Sequence, residues 1–335
     1  MARPETVLAM TPDLPKTLFS PAALDRLQTI ANIDPGVVLS DLRSASSRAA
    51  LARAEVILSG WGCPPVDEAV LQAAPALRAI VHAGGGVKSH VTPACWERGI
   101  RVSTAAAANA VPVAEYTLAM ILLANKRVRR MAKAYEQRRG GLDLLAEFPN
   151  VGNYGKTIGI IGASRVGSRV VELLRPFALD VVVSDPYLDE RAAERLGAEL
   201  RDLDELLTAS DVVSVHAPAL PSTRHLIDAR RLVLLRDGAT LINTARGSLI
   251  DQDALVAELV SGRIDAVIDV TEPEVLPPDS PLYELPNVVL TPHVAGALGV
   301  EVRRLGDSAI DEIGRYAVGE PFAHPVTVAD LERVA

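Results

Sequence analysis

Short apolar runs alternate with amphipathic stretches of helical spacing along almost the whole chain. That alternation predicts parallel sheets whose strands are joined by right-handed helical crossovers. In the first series, ETVLAM, GVVLS, AEVILSG, LRAIVHAG and RVST read as strands. PAALDRLQTI, SSRAALARA and DEAVLQAA read as the helices between them. The product is a small doubly wound unit of about five strands.

A long helical pattern follows, from Pro112 to about Gln137, apolar in its first half and basic in its second. Pro112 suits a first helical turn. Gly140 and Gly141 mark a break, and Asn150 to Asn153 reads as a loop. The second series has six strands: TIGIIGA, DVVVSD, DVVSVHAP, ATLINTA, DAVIDV and VVLTPH. Six alternating strands match a dinucleotide-binding fold. One more amphipathic helix, EVRRLGDSAIDEIGRYAVG, is expected to return and pack on the first domain.

A chain of 335 residues is too long for one ordinary core, so two domains are expected. Hydrophobic residues make up 49% and charged residues 23%, which describes a globular chain rather than a disordered one. The formal charge of −8 argues against nucleic acid or an anionic membrane as partner. The aromatic content of 4% argues against base-stacking surfaces. The longest apolar run, between Glu115 and Lys126, is too short to span a bilayer. The first ten residues are too weakly apolar for a signal peptide. Cys63 and Cys95 share no metal-ligand spacing, and no metal is expected. Two isolated cysteines fit a reducing cytoplasm.

The chemistry gathers where strands end, since ligands of open parallel sheets sit at the carboxyl ends of their strands. Gly162-Ala163-Ser164-Arg165-Val166-Gly167 lies between a strand and a helix. The first and third glycines of the pyrophosphate-binding pattern are present; Ser164 replaces the second. Its small side chain still leaves a hydroxyl or amide for a phosphate, the helix amino terminus adds unpaired N–H groups, and Arg165 adds a cation. Asp185 ends the next strand, 18 residues after Gly167, where a carboxylate accepts from ribose hydroxyls and repels a 2′-phosphate. NAD is therefore expected over NADP. Downstream, Arg246 follows ATLINTA, Glu274 follows IDAVIDV and His293 closes NVVLTPH. Taken singly, these read as a surface ion-pair partner, a solvated loop carboxylate and a strand-end histidine. Together they could orient an acid, tune a base and move a proton.

TIGIIGASRVGSRV, VSDPY, VHAPALPSTRHLI, LINTARGSLIDQDAL and IDVTEPEVLPPDSPLYELPNVVLTPHVAG, in that order, resemble the D-2-hydroxyacid dehydrogenases. The resemblance covers essentially the whole chain and is strongest from Thr157 to Gly296. It implies that Arg246 holds a 2-oxo acid and polarises its carbonyl. It implies that His293 is the acid/base and that Glu274 pairs with the imidazole and favours its protonated form. It further implies that Asp269 sits near the nicotinamide carboxamide, that His216 and Pro218 flank the cofactor, and that Thr244 contributes from a strand end. The family's glutamate lies five residues after the aspartate of its I-D-V segment and usually precedes proline. Asp269 plus five is Glu274, which Val275 follows; Glu272 has the proline but the wrong spacing and is expected to face solvent.

The first-domain loop departs from the family's Gly-Val-Gly and Asp-Asn pattern, reading His82-Ala83-Gly84-Gly85-Gly86-Val87-Lys88-Ser89. Gly85 and Gly86 could still offer N–H groups as an anion nest for the substrate carboxylate. His82 either reads a substrate side group or caps its strand, and Lys88 either reaches the substrate or stays in solvent. Trp61 either lines the pocket or packs.

The expected architecture is α/β, with two doubly wound parallel-sheet domains: a Rossmann NAD-binding domain at 106–299, inserted in a flavodoxin-like substrate domain of 1–105 plus 300–335. Two crossings would form a hinge that closes over the substrate. The expected activity is NAD-dependent interconversion of a 2-oxo acid and a D-2-hydroxy acid. The alternative is an NAD(H)-binding regulator of the same fold, like the family's corepressor relatives. A homodimer through the helix of 112–137 is implied by the resemblance.

Overall fold

The computed structural model describes residues 3–331; residues 1, 2 and 332–335, which the domain expectation includes, lie outside the described residues. Its strands are β1 (Thr6–Ala9), β2 (Val56–Ser59), β3 (Ala79–His82), β4 (Arg101–Thr104), β5 (Lys156–Ile161), β6 (Leu179–Ser184), β7 (Glu199–Leu200), β8 (Val212–Val215), β9 (Thr240–Asn243), β10 (Asp265–Ile268), β11 (Val288–Leu290) and β12 (Pro325–Val326). The chain divides into two compact units. One holds the residues up to Asn109 and from Ala297 onward; the other is Ala110–Gly296.

The first unit carries a five-stranded sheet of order β1-β2-β3-β4-β12. Four strands are parallel, and β12 pairs antiparallel with β4. β2 and β3 are buried at every position, as expected of a sheet covered on both faces. The expected strand GVVLS is reduced to a single bridge from Leu8 to Val38, beside β1 on the edge away from β2. The preceding turn consumes its start: Gly36 N–H donates to Asp34 Oδ1, and Val37 N–H to the Asp34 carbonyl. β12 was not expected, because two residues are too short for a periodic signal. The helix Val302–Ala317 packs on Pro21–Ile30 and Leu14–Leu18 of the same unit, burying Leu305, Ala309, Ile310 and Ile313.

The second unit carries a seven-stranded parallel sheet of order β11-β10-β9-β8-β5-β6-β7. The six expected strands are present, and β7 adds a short edge beside β6. The order reverses at β5, so a crevice opens at the carboxyl ends of β5 and β8, the usual ligand position of such sheets. Aspartate and serine caps start the crossover helices: Asp189, Asp228 and Asp251 each accept an N–H from the first helical turn.

The single helix expected over 112–137 is instead two, Ala106–Asn125 and Val128–Arg138, with Arg127 in the left-handed region at φ 47°. The break has a physical reason in the loop that follows. Gly152 N–H donates to the Asn125 carbonyl, Asn153 Nδ2 to the Leu122 carbonyl, and Arg127 N–H to the Ala124 carbonyl. These donors satisfy carbonyls that a continuing helix would have used. Pro112 lies inside the helix rather than in its first turn, because the run Ala106 to Ala108 is strongly helix-forming and extends it backward. Ala106–Asn125 is long and apolar enough to cross a membrane by length and composition, beyond the shorter run read from sequence. Its buried Ala114 and Ile121 belong to the core of the second unit.

Candidate active site and cofactor loop

Three adjacent parallel strands of the second unit set the candidate active site. Asn243, Ile268 and Leu290 are in register at the carboxyl ends of β9, β10 and β11. Neighbouring strands lie about 4.8 Å apart, so the segments that leave these three ends emerge side by side. Arg246 follows β9, Asp269 and Glu274 follow β10, and His293 follows β11.

The Arg246 turn is built by Asn243, whose Oδ1 accepts the Ala245 N–H at 3.0 Å and whose Nδ2 donates to the Arg246 carbonyl at 2.9 Å. The exposed guanidinium donates to the Ala245 carbonyl and forms no salt bridge among the described residues. An unpaired cation at a strand end is free to take an anionic ligand. Gly247 lets this turn approach the next loop: a Cβ there would stand 2.2 Å from the Thr271 carbonyl carbon and 2.6 Å from the Glu272 amide nitrogen.

The two glutamates diverge on that loop. Glu272 pairs with Arg224 at 2.9 Å. Glu274 Oε1 lies 2.5 Å from His293 Nδ1. Thr271 Oγ1 donates to the Pro273 and Glu274 carbonyls and shapes the bend between the two. The Glu274 and His293 side chains are 61% and 45% exposed, so their ion pair contributes little to stability. It orients the ring instead. With Nδ1 engaged by the carboxylate, Nε2 is left to exchange a proton with a ligand.

His293 has φ 56°, an uncommon conformation for a side chain of this kind. Asp269 holds it there. The Asp269 carbonyl accepts the His293 N–H at 2.8 Å. The buried Asp269 carboxylate accepts from Thr291 Oγ1, Val294 N–H and Ala295 N–H at 2.6, 2.8 and 2.9 Å. Asp269 is thus a staple for the histidine loop. Thr244 Oγ1 meets Thr117 Oγ1 at 3.2 Å; Thr117 gives its own proton to Val113, so Thr244 donates.

At β5, Gly162 has φ 94°, and a Cβ on Gly167 would stand 2.0 Å from the Gly162 carbonyl oxygen. Both glycines are required by the tight strand-to-helix turn. Ser164 caps the helix Arg165–Leu174, accepting the Gly167 N–H at 3.3 Å. That bond uses a lone pair of the hydroxyl oxygen and leaves its O–H as a donor. The N–H groups of Ser164, Arg165 and Val166 donate to no protein group among the described residues. They form a cradle that fits a pyrophosphate. Asp185 Oδ2 accepts the Ala163 N–H at 2.7 Å and Oδ1 the Tyr187 N–H at 2.8 Å. Each oxygen keeps a lone pair for a ribose hydroxyl. His216 lies under the loop, its Nε2 2.9 Å from Ser214 Oγ, and burial pushes its pKa down to about 3. Pro218 is half-buried at the end of the same segment.

In the first unit, the turn after β3 ties its carbonyls back. Gly84 and Gly85 carbonyls accept from Thr104 Oγ1 at 2.7 and 2.6 Å, and the Gly84 carbonyl also accepts the Ala105 N–H. The N–H groups of Gly84, Gly85 and Gly86 donate to no protein group among the described residues. Lys88 is exposed and Trp61 is 44% exposed. Among the described residues, no cluster of His, Cys, Asp and Glu is arranged to hold a metal.

Residues 118–295 match the family model described as D-isomer specific 2-hydroxyacid dehydrogenase, NAD binding domain. The chain belongs to that family. Its second unit is the family's NAD-binding domain. Over 268 residues, 80% of this chain, it is 34% identical to D-3-phosphoglycerate dehydrogenase of Archaeoglobus fulgidus, of which it covers 50%. The chain thus spans about half the length of the phosphoglycerate dehydrogenases it matches. It is 34% identical over 262 residues, 76% of this chain, to glyoxylate reductase of Aeropyrum pernix, covering 78% of that protein. Among solved structures, it resembles a phosphoglycerate oxidoreductase from Rhizobium etli (TM-score 0.81, 27% identity, 97% of this chain and 99% of that one). It also resembles D-lactate dehydrogenase from Aquifex aeolicus complexed with NAD and lactic acid (TM-score 0.71, 27% identity, 94% and 96%).

Within this dehydrogenase frame, sequence reasoning missed three supporting residues. Asn243 builds the arginine turn, Gly247 admits the glutamate loop, and Thr291 anchors Asp269. A strand-ending Asn and a glycine just after the arginine were the available signals; nothing local marks Thr291.

Proposed function

We propose that the protein interconverts a 2-oxo acid and a D-2-hydroxy acid with NAD. The observation that carries this is the Glu274–His293 pair at 2.5 Å, in the segments that follow β10 and β11, with the unpaired Arg246 following β9 on the other side of β10. NADH, when bound, supplies a hydride to C2 of the oxo acid. His293 Nε2 gives its proton to the carbonyl oxygen as that carbon is reduced, and takes it back from the hydroxyl in the reverse direction. Glu274 holds Nδ1 and balances the imidazolium. Arg246 donates to the carboxylate and carbonyl oxygens, and Gly85 and Gly86 give N–H groups to the carboxylate. Ser164, Arg165, Val166 and the flanking Gly162 and Gly167 hold the pyrophosphate, with Asp185 on the ribose. His216, Pro218, Thr244 and Asp269 shape the nicotinamide end from beneath.

The setting we propose is a cytoplasmic homodimer. Support for the dimer is the exposed apolar side chains of Leu123, Val128 and Tyr135 within 112–137. Light scattering of the purified chain tests it, and a monomer at micromolar concentration would end the idea.

The activity test is NADH oxidation with glyoxylate, hydroxypyruvate, pyruvate and longer 2-oxo acids, with NADPH and His293→Ala as controls. Turnover with NADH that collapses in His293→Ala is expected. Tight NADH binding without turnover on any acid would favour the regulator of the same fold.

A further inference from the structure

Ser59 closes β2 and His82 closes β3, paired in register. With His90 they form a buried cluster: Ser59 is 0%, His82 3% and His90 1% exposed. Ser59 Oγ lies 3.0 Å from His82 Nδ1 and 3.1 Å from His90 Nε2. The rings are 4.5 Å apart, and Ser89 Oγ lies 3.4 Å from His90 Nδ1.

A hydroxyl has one proton, and two ring nitrogens face this one. At least one imidazole must therefore turn an N–H toward Ser59 Oγ. When Ser59 gives its proton to one ring the other ring must donate to it, which links the two tautomers; when it gives the proton to the Val81 carbonyl at 3.5 Å, both rings donate. When Ser59 donates to His82 Nδ1, Nε2 carries the proton and is a donor; when the chain reverses, Nε2 is an acceptor.

Among the described residues that Nε2 has no hydrogen-bond partner. Ser103 Oγ is the one fully enclosed side-chain polar atom without a hydrogen bond among the described residues, so His82 Nε2 keeps access to solvent or ligand. It lies against the glycine turn: a Cβ on Gly84 would stand 2.4 Å from it. It therefore sits beside Gly84, where the glycine turn begins, in an otherwise buried residue.

We propose that His82 Nε2 is a specificity-determining group that hydrogen-bonds an uncharged hydroxyl beside the oxo group of the substrate, with Ser59 and His90 as its positioning residues. This rests on the 2-oxo acid reading given above. Burial pushes His82 down to about 3 and His90 to about 4, so both are neutral near pH 7 and bring no charge to a phosphate or second carboxylate. An apolar substituent would leave Nε2 unpaired, which sites built around a hydrogen bond reject strongly. A hydroxyl both donates and accepts, so it suits either direction of the Ser59 chain.

The test compares kcat/KM for 3-hydroxypyruvate and pyruvate with NADH, two acids that differ by that hydroxyl. Wild type is expected to prefer hydroxypyruvate by about tenfold or more. His82→Leu keeps the bulk without ring nitrogens and should bring the ratio near one. His82→Gln returns a polar group near the Nε2 position and should restore part of it. Ser59→Ala should lower the ratio about threefold or more with Nε2 still present. Each ratio is taken on one preparation, so the folded fraction cancels and a merely structural role leaves it unmoved. A wild-type ratio near one, needing no variant, overturns the proposal. So does an unchanged ratio in His82→Leu, or faster turnover with NADH of 3-phosphohydroxypyruvate, the phosphorylated 2-oxo acid, than of hydroxypyruvate. Failure of wild type on every 2-oxo acid would instead defeat the underlying activity.

Discussion

Two histidines at the ends of parallel strands, one in each unit, do opposite things with the same ring. His293 follows β11, is half exposed, holds a left-handed backbone and gives Nδ1 to a carboxylate. His82 closes β3, is buried and gives Nδ1 to a hydroxyl. In the proposed function the ring with the carboxylate partner is the one that gives and takes a proton, whereas burial keeps the ring with the hydroxyl partner neutral. The sheet edge places the ring, and its burial and the atom opposite Nδ1 decide its chemistry.

The largest effect should come from removing the proposed proton carrier. His293→Ala is expected to lower kcat by about 10² to 10⁴-fold, with NADH affinity, read by fluorescence titration, changed less than about threefold. A kcat loss below about threefold would mean that this ring is not the acid/base.

Next is its partner. Glu274→Gln keeps a side chain able to accept from Nδ1 but removes the charge, and kcat/KM should fall about tenfold to hundredfold. Glu272→Gln, whose carboxylate serves Arg224, should leave it near wild type. Equal losses in the two variants would show that the loop, rather than the Glu274 charge, matters.

This contrast also marks how far the chain could be read from its letters. The strand ends carrying Arg246, Glu274 and His293 were legible because a buried parallel strand is a continuous apolar run and its end is abrupt. The six strands of the second sheet followed for the same reason. Three things were not legible. The helix over 112–137 is broken by Gly152 and Asn153, far along the chain, which no local periodicity reports. The use of the Asp269 carboxylate to hold the histidine loop depends on Thr291, Val294 and Ala295, which no local pattern marks. Ser59 looks like an ordinary strand serine until β3 sets His82 beside it and the following turn brings His90.

A third measurement sharpens the neutral side of the comparison. His82, His90 and His216 have pKa values lowered by burial to about 3, 4 and 3, against 6.5 when exposed. Their folded pKa values are depressed, so the stability tied to keeping them neutral is fully present above pH 6.5. It is lost progressively as pH falls from 6.5 toward 4 and 3. At pH 5.5 each costs about 1.4 kcal/mol relative to an unfolded chain that takes up the proton. Tm should therefore drop by several degrees between pH 7.5 and 5.5, and His216→Gln should flatten that slope by about a third. A Tm independent of pH across this range would mean that these rings are not held neutral.

The smallest effect extends the contrast from imidazoles to hydroxyls. Ser59 is enclosed between two rings, whereas Ser164 caps a helix by accepting one N–H, in the place where the pyrophosphate-binding pattern has glycine. Replacing an N-cap serine by glycine costs only a few tenths of a kcal/mol. The N–H groups of Ser164, Arg165 and Val166 come from the backbone and survive the change. Ser164→Gly should accordingly lower Tm by no more than about 1 °C and alter the NADH dissociation constant by less than about threefold. A tenfold tightening would mean that the serine side chain had been obstructing the phosphates. A tenfold weakening would mean that its hydroxyl donates to them while its oxygen caps the helix. The weakening alone would place Ser164 beside Ser59, as a hydroxyl that serves a group beyond its own element.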